Sequence, residues 1–359
     1  MSLSSARFCL QPYDGPKSRY TCPGCEKRRV FTRWMDTATK ELLPDEFGIC
    51  DRADKCGYSQ SPYTQAPNGL SYAQEVRQGE KEDATTRPAR TPKPKPAITL
   101  PLCTIPEEVL QKSLGQYHLN QFALLLRNHF GLGIANDLLR RFEVGTSAHW
   151  PGATTFWQRD VQGRVRGGQV VLFDAEGHTA KIIGREDELI RCTTWVHTAL
   201  KARYRKHNQK LPLWLSDYLN PTIRVEKSPA LYGLAQLMNE PDDRPVAIVE
   251  APKTAIICTP YFRNSTWLAV GALSYLNAER LLSVKHRPII LYPDASLNGT
   301  AYRNWCDKAA ALRKEGFQIN VSDFLETRTS SDQKAAGIDL ADLLLELWAG
   351  YPPSWDDQQ

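Results

Sequence analysis

The sequence predicts an α/β protein in three parts: a small cysteine-bearing ribbon, a middle α+β unit and a C-terminal domain built on a parallel sheet. Three observations predict it. Cys22, Cys25, Cys50 and Cys56 crowd into one short N-terminal segment. The middle of the chain changes from helical to two-residue periodicity. The last third alternates continuous apolar runs with helical stretches, the pattern of parallel strands covered on both faces.

The ribbon is expected over residues 1–65. A tight turn with two thiolates separated by two residues, Cys22-Pro-Gly-Cys25, makes one edge of a tetrahedral zinc site, because both sulfurs must come within about 2.3 Å of one ion. After a gap that fits a hairpin (VFTRWMDTATKELLPDEFGI), Cys50 and Cys56 supply the second pair, more widely spaced than a usual knuckle. Structural zinc on these four cysteines is expected, with paired disulfides or redox thiols as the alternatives. The same segment interleaves Arg19, Lys27, Arg28, Arg29 and Arg33 with Tyr20, Phe31 and Trp34. Cations neutralise phosphates and flat rings stack unpaired bases, so single-stranded nucleic acid is the expected partner. The alternative is that Phe31 and Trp34 fill the ribbon's core and the charges are merely solvated.

Residues 66–100 mix proline, charge and small polar residues and read as a linker; its TPKPKP stretch is expected to be extended, with Arg87, Arg90, Lys93 and Lys95 either brushing phosphates or simply solvated. The α+β unit follows over 101–235. Pro106 opens a helix with Glu107 and Glu108 near its positive end, and Asn120 caps another that presents Phe122, Leu125, Leu126 and Phe130 on one face before Gly131 stops it. A third helical run, IANDLLRRFEVG, is expected to close at its glycine. TTFWQRD, RVRGGQVVLFD and HTAKIIG, joined by turns at Gln162-Gly163 and Glu176-Gly177, read as a small antiparallel sheet. Arg164, Arg166, Lys181 and Arg185 lie in or beside its strands, either as a basic face for nucleic acid or as an ordinary solvated face. Trp157 and Trp195 are expected in the core, and the histidines show no ligand spacing.

In the domain over 236–349, VAIVE, TWLAVG, PIILYPD and FQINV are the expected strands, with helices from about Thr254, through LNAERLL, through Trp305 and Leu312, and at DLADLLLELW; 350–359 is a tail. Ligands of open parallel sheets bind beyond the carboxyl ends of the strands where strand order reverses. Glu250 and Asp294 stand at two such ends, a pair best neutralised by Mg²⁺, and Lys253 at the next helix start is placed to meet a phosphate.

IVEAPKTA, WLAVGALSYLN, IILYPDAS and GIDLADLLL, in that order, resemble the Toprim domain of primases and related proteins. With the cysteine ribbon and the middle unit, nearly the whole chain resembles zinc-ribbon plus Toprim-like proteins of bacterial mobile elements and phages, especially of Bacteroidetes type. The resemblance implies Mg²⁺ on Glu250 and Asp294, with Asp339 and Asp342 as further acids, and a primase-like nucleotidyl transfer on a single-stranded template in DNA replication or mobilisation. One departure stands out: Ser296 replaces the second acid of the Asp-x-Asp pair. It favours one alternative, a catalytically degenerate DNA-binding accessory factor; a Toprim nuclease, for whose attacking water the sequence offers no clear general base, ranks last. Structurally, Glu250 paired with Lys253 and Asp339 capping its helix would account for the same residues without metal.

Composition bounds these expectations. With 42% hydrophobic and 24% charged residues among 359, the chain has the composition of a soluble globular protein. No apolar run approaches the roughly 20 residues of a membrane helix, and the opening residues lack a signal-peptide core, so a cytoplasmic protein with no membrane partner is expected. The net charge of +5 points to a polyanion only where basic residues cluster. Cys103, Cys192, Cys258 and Cys306 are far apart and read as small buried hydrophobes, and Cys9 carries no signal. No GxxxxGK[ST] phosphate loop is present, so unwinding would need a separate helicase.

Overall fold

A computed structural model describes residues 7–52, 56–64, 70–76, 102–183, 189–220 and 230–347. The chain divides into two units, Met1–Ile98 and Thr99–Gln359. In the first, strands β1 (Phe8–Leu10), β2 (Phe31–Asp36), β3 (Gly48–Cys50) and β4 (Ser59–Gln60) form one antiparallel sheet in chain order. The β2–β3 register sets Phe31 opposite Cys50 and Arg33 opposite Gly48. Phe31 is fully buried against Cys22 and Cys50, and position 48 must be glycine because a β-carbon there would stand 2.2 Å from the Phe31 ring. A second small cluster joins Phe8, Leu43 and Phe47 to Ala73 of a short helix, α1 (72–76), with Trp34 packed against it. That helix lies in the stretch expected as a linker. Its TPKPKP segment, with Arg87, Arg90, Lys93 and Lys95, lies outside the described residues.

The second unit opens with α2 (Glu107–Gln111) and α3 (Gln121–Arg141), followed by β5 (Val144–Ser147), β6 (Ala153–Arg159) and β7 (Val165–Val171). Asn120 caps α3 as expected: its buried Oδ1 accepts from the Ala123 amide at 3.1 Å and from the Thr154 hydroxyl at 2.8 Å, while Nδ2 donates to the Gly145 carbonyl and Thr146 Oγ1, each at 3.1 Å. Gly131 does not stop the helix. It kinks it, with φ 78° and ψ 168° that only glycine adopts readily, and the chain resumes helical geometry to Arg141. Gly145, expected to close the next run, lies inside β5; the helix ends at Phe142, and Glu143 takes the left-handed φ of 48°.

The antiparallel sheet has the order β10-β7-β6-β5, where β10 is Thr193–Trp195. The expected strand in HTAKIIG is β8 (Lys181–Ile183), but it pairs with β9 (Leu189–Arg191) in a two-stranded sheet of its own. Helices α4 (Val196–Lys206) and α5 (Leu213–Leu219) follow. Trp157 is buried, whereas Trp195 is half-buried and joins no hydrophobic cluster, so the expected core role fails there.

The remainder alternates β11 (Val246–Val249), α6 (Pro252–Tyr261), β12 (Thr266–Ala269), α7 (Ala278–Leu281), β13 (Ile289–Leu291), α8 (Thr300–Lys314), β14 (Ile319–Val321), α9 (Phe324–Arg328), α10 (Ser331–Ala336) and α11 (Leu340–Leu347). The four strands are parallel in the order β12-β11-β13-β14. Helices cover both faces, because alternate residues of each strand point oppositely. Val246, Ile248, Ile289 and Leu291 pack with Trp305, Ala309 and Leu312 of α8. Ala247 and Val249 pack with α6 and α11, and the same cluster takes in Phe122, Leu126 and Phe130 of α3 and Phe156 of β6. The middle sheet and the parallel sheet therefore share one core, crossed by Tyr232, whose hydroxyl donates to the Phe142 carbonyl at 3.0 Å and whose backbone bridges to Ala269.

Asn120 is the polar keystone of the middle layer. Asn120→Ala removes four hydrogen bonds and leaves buried partners unpaired, an expected loss of about 3 kcal/mol or more of stability, read from the urea midpoint at unchanged m-value.

Candidate metal centre and strand-end site

The first knuckle turns because the Cys22 amide donates to the Lys27 carbonyl at 3.0 Å and the Glu26 amide to the Cys22 carbonyl at 2.8 Å. Opposite it, β3 ends at Cys50 and the Cys56 amide closes a turn on the Arg52 carbonyl at 2.8 Å. The sulfurs of Cys22 and Cys56 stand 3.7 Å apart, those of Cys25 and Cys50 4.0 Å apart, and all four lie within 4.8 Å of one another. A tetrahedral ion with Zn–S bonds of about 2.3 Å has sulfur–sulfur edges of about 3.8 Å, so the four cysteines fit zinc. A hydrogen bond from the Lys27 amide leads the effects that lower the Cys25 thiol to about 7, whereas burial pushes Cys50 up to about 12. Thiolates on all four positions therefore call for a counter-cation.

Strand-end geometry is set by the order β12-β11-β13-β14. The chain leaves β11 toward one side and crosses back to β13 on the other, so the reversal falls between β11 and β13. Glu250 follows β11, and Asp294 follows β13 by three residues. Lys253 in the first turn of α6 is buried, and its Nζ reaches Asp342 Oδ1 at 2.5 Å and Asp339 Oδ2 at 3.4 Å. Thr254 Oγ1 donates to Asp339 Oδ2 at 2.6 Å. Asp339 and Asp342 cap α11 reciprocally: the Asp342 amide donates to Asp339 Oδ1 at 2.8 Å, and the Asp339 amide donates to Asp342 Oδ2 at 3.1 Å.

Burial pushes the Lys253 ammonium down, but Asp339 and Asp342 more than offset it, and its pKa is raised. Burial likewise opposes the Asp339 charge, yet Lys253, Thr254 and the Asp342 amide hold its carboxyl below the ordinary range. Asp294 has the opposite fate. Burial first, then the charges of Asp339 and Glu250, push it well above the ordinary value, and Lys253 offsets only part of this. Ser296 is no substitute acid, since its hydroxyl accepts from the Ala301 amide at 2.7 Å at the start of α8.

Burial and the charges of Asp339 and Glu250 thus disfavour a second negative charge at Asp294, and Asp339 and Asp342 are engaged with Lys253. Among the described residues the four cysteines are the one group of His, Cys, Asp or Glu drawn closely enough to hold an ion. The acids would have to draw together to do so. His178 stands 4.0 Å from Asp342 and 3.9 Å from Asp174, a neighbour that sequence spacing could not reveal.

The basic residues singled out in the sequence divide. Arg19 pairs with Asp51 at 3.2 Å and covers the Tyr13 ring; Arg33 pairs with Asp45 at 2.6 Å and covers Tyr20. Trp34 packs edge-on to Tyr63 within the ribbon's second cluster. Lys27, Arg28 and Arg29 are exposed and make no ion pair among the described residues. Arg164 braces the β6–β7 turn through Asp160 at 2.7 Å, Arg166 is buried 3.6 Å from the same carboxylate, and Lys181 is exposed on β8. Arg185 lies outside the described residues. Sequence reasoning passed over Lys201, Arg203, Arg205 and Lys206 of α4, all exposed and without an ion pair among the described residues, although the run KARYRK was visible.

The comparisons with known proteins fall on the same two regions. A zinc beta-ribbon finger family matches residues 6–69, the span that holds all four cysteines. A domain of unknown function (DUF6371) matches residues 120–295. No curated protein sequence matches the chain. Among solved structures, the primase fragment of the bacteriophage T7 primase-helicase protein is similar at 12% identity and a TM-score of 0.34, covering 92% of this chain and 98% of that one. The E. coli primase catalytic core is similar at 13% identity and a TM-score of 0.36, covering 69% and 78%. A DnaG primase catalytic domain bound to ssDNA is similar at 12% identity and a TM-score of 0.38, covering 67% and 75%. No helix among the described residues is long and apolar enough to cross a membrane.

Two outcomes follow from these sites. Purified protein should carry one zinc per chain, and a strong chelator should open Met1–Ile98 to protease while leaving the cooperative unfolding of Thr99–Gln359 in place. For Asp294, a folded-state pKa above the ordinary 3.8 means that the folded protein keeps a proton the unfolded chain has lost, so its contribution to stability falls as pH rises above about 4 toward the folded value. Asp294→Asn should therefore melt higher than the parent at neutral pH in EDTA. Mg²⁺ should raise the melting temperature of the parent and not of the variant.

Proposed function

We propose that the chain is a primase-like protein of Toprim type that joins nucleotides on a single-stranded template with Mg²⁺. The observation that supports this best is that Glu250 and Asp294 follow the two strands flanking the β11–β13 reversal, where the charges of Asp339 and Glu250 help keep the Asp294 carboxyl from ionising. Such a crevice gains most from a divalent cation and its phosphate ligands. Glu250 and Asp294 would hold the metal; when bound, it supplies charge stabilisation for the attacking hydroxyl and the departing pyrophosphate. Lys253 is a positioning residue, fixing Asp339 and Asp342 at the head of α11. The exposed Lys27, Arg28 and Arg29 of the ribbon would grip the template phosphates. Unwinding would fall to a separate helicase, and replication or mobilisation of a bacterial mobile element is the setting that the motif resemblance suggests.

A second reading, a DNA-binding accessory factor without chemistry, is favoured by two observations. Lys253 already supplies a cation to Asp339 and Asp342, and the Ser296 hydroxyl is engaged with a helix start. One assay separates them. Purified protein, single-stranded template, Mg²⁺ and labelled ribonucleotides should yield short products, and Glu250→Gln should reduce them by about 100-fold or more. Tight template binding with no product from the parent protein would establish the accessory factor instead.

A further inference from the structure

A cavity of about 300 Å³ opens between β6, β7, the β10–α4 junction, α5 and the turn Leu273–Tyr275 that follows β12. Gln158, Arg166, Trp195, His197, Tyr218 and Tyr275 line it. The Trp195 and His197 rings lie within 11° of parallel at 6.4 Å, and His197 meets Tyr218 at 4.8 Å. Trp195 belongs to no hydrophobic cluster, so its indole faces are not committed to the core. Gln158 is only 4% exposed, yet its Oε1 accepts no hydrogen bond. A buried acceptor left unmade is costly, and one in a cavity wall is matched by a ligand that brings an N–H donor. Flat rings and a waiting acceptor together describe a site for a planar heteroaromatic group.

The surface beside the cavity supplies the rest of the ligand. Helix α4 starts at the cavity wall and carries Lys201, Arg203, Arg205 and Lys206, all exposed and without an ion pair among the described residues. At 1.5 Å per residue, His197 to Lys206 spans about 13 Å, long enough for several phosphates of one strand. A polyanion with a planar, N–H-bearing group at one position is a nucleic acid with an unpaired base. The cavity also adjoins the strand-end crevice: a β-carbon on Gly271 would stand 4.0 Å from Gln158 Nε2, and the Gly271 amide donates to the Glu250 carbonyl at 2.8 Å.

We infer that this cavity and α4 form a single-stranded nucleic acid site, in which one base enters the cavity against Trp195 and Gln158 and the following phosphates run along Lys201–Lys206. The site needs no metal and no acid of the crevice, so it stands apart from the proposed chemistry.

Anisotropy titrations of the full, zinc-loaded chain with labelled oligo(dT) and oligo(U) of about 12 nucleotides, between about 50 and about 200 mM salt, test it. Trp195→Ala should weaken binding by roughly 5- to 100-fold with an unchanged log-log salt slope, as loss of one base stack does. The triple variant Arg203→Ala, Arg205→Ala, Lys206→Ala should flatten the slope by about 2. It alters only exposed side chains, so it decides the matter even where Trp195→Ala fails to fold. A duplex of the same length should bind more weakly than either strand, and the DNA and RNA arms report which sugar is preferred. A triple variant with the parent's affinity and slope, or a duplex bound as tightly as the strand, overturns the inference. A parent protein that binds the strand in this way but makes no product marks failure of the enzymatic reading alone.

Discussion

The architecture of the strand-end crevice depends on one buried cation. Lys253 sits in the first turn of α6 and clasps the two aspartates that open α11, a link across 89 residues of sequence. A charge taken out of water is tolerated only when its partners are held in place, and here each partner is held by the other: Asp339 and Asp342 bond to one another's amides and Thr254 bonds to Asp339. Removing any member strands the rest. The same clasp sets the surroundings of Asp294, because the Ala295 amide donates to the Ile338 carbonyl at 2.9 Å, just before the capping pair begins.

Charge counting then explains the state of the crevice. Asp294 feels the negative charges of Asp339, Glu250 and Asp342, and Lys253 offsets only part of them. Lys253 stabilises the pair it touches, while burial and the nearby carboxylates favour a proton on Asp294. The raised pKa of Asp294 does not depend on Ser296. The clasp also limits the site, since Asp339 and Asp342 are not spare ligands.

How much of this was legible in the sequence follows from the range of each interaction. The cysteine pairs, the Asn120 cap and the Gln162-Gly163 turn are local, and the chain displays them directly. The strands of the last third announced a covered parallel sheet through their continuous apolar runs, and the sheet order follows the connections. Interactions between distant residues were hidden. Lys253 could have paired with Glu250, its near neighbour, but folding brings α11 to it instead. Gly131 looked like a stop because sequence does not distinguish a glycine that ends a helix from one that kinks it. Trp34 stands among the basic residues of the ribbon and Trp195 reads as a core aromatic, yet the fold packs the first into a small cluster and sets the second in the wall of a cavity.

The arginines show why composition gave so little of the binding surface. Arg159 forks between Glu107 and Glu143 at 2.7 Å, holding the start of α2 and the end of α3 to β6. Arg287 is buried with its guanidinium on the carbonyl of Glu240 and on Asp242. Arg19, Arg33 and Arg164 are each tied to an acid. A guanidinium that organises its own protein has little to offer a phosphate, because its donors and its charge are already matched. Among the described residues, Lys27, Arg28 and Arg29 on the ribbon and Lys201, Arg203, Arg205 and Lys206 on α4 form two runs of exposed cations without an ion pair. A net charge of +5 spread over the whole surface is weak, whereas neighbouring unpaired cations concentrate the local field.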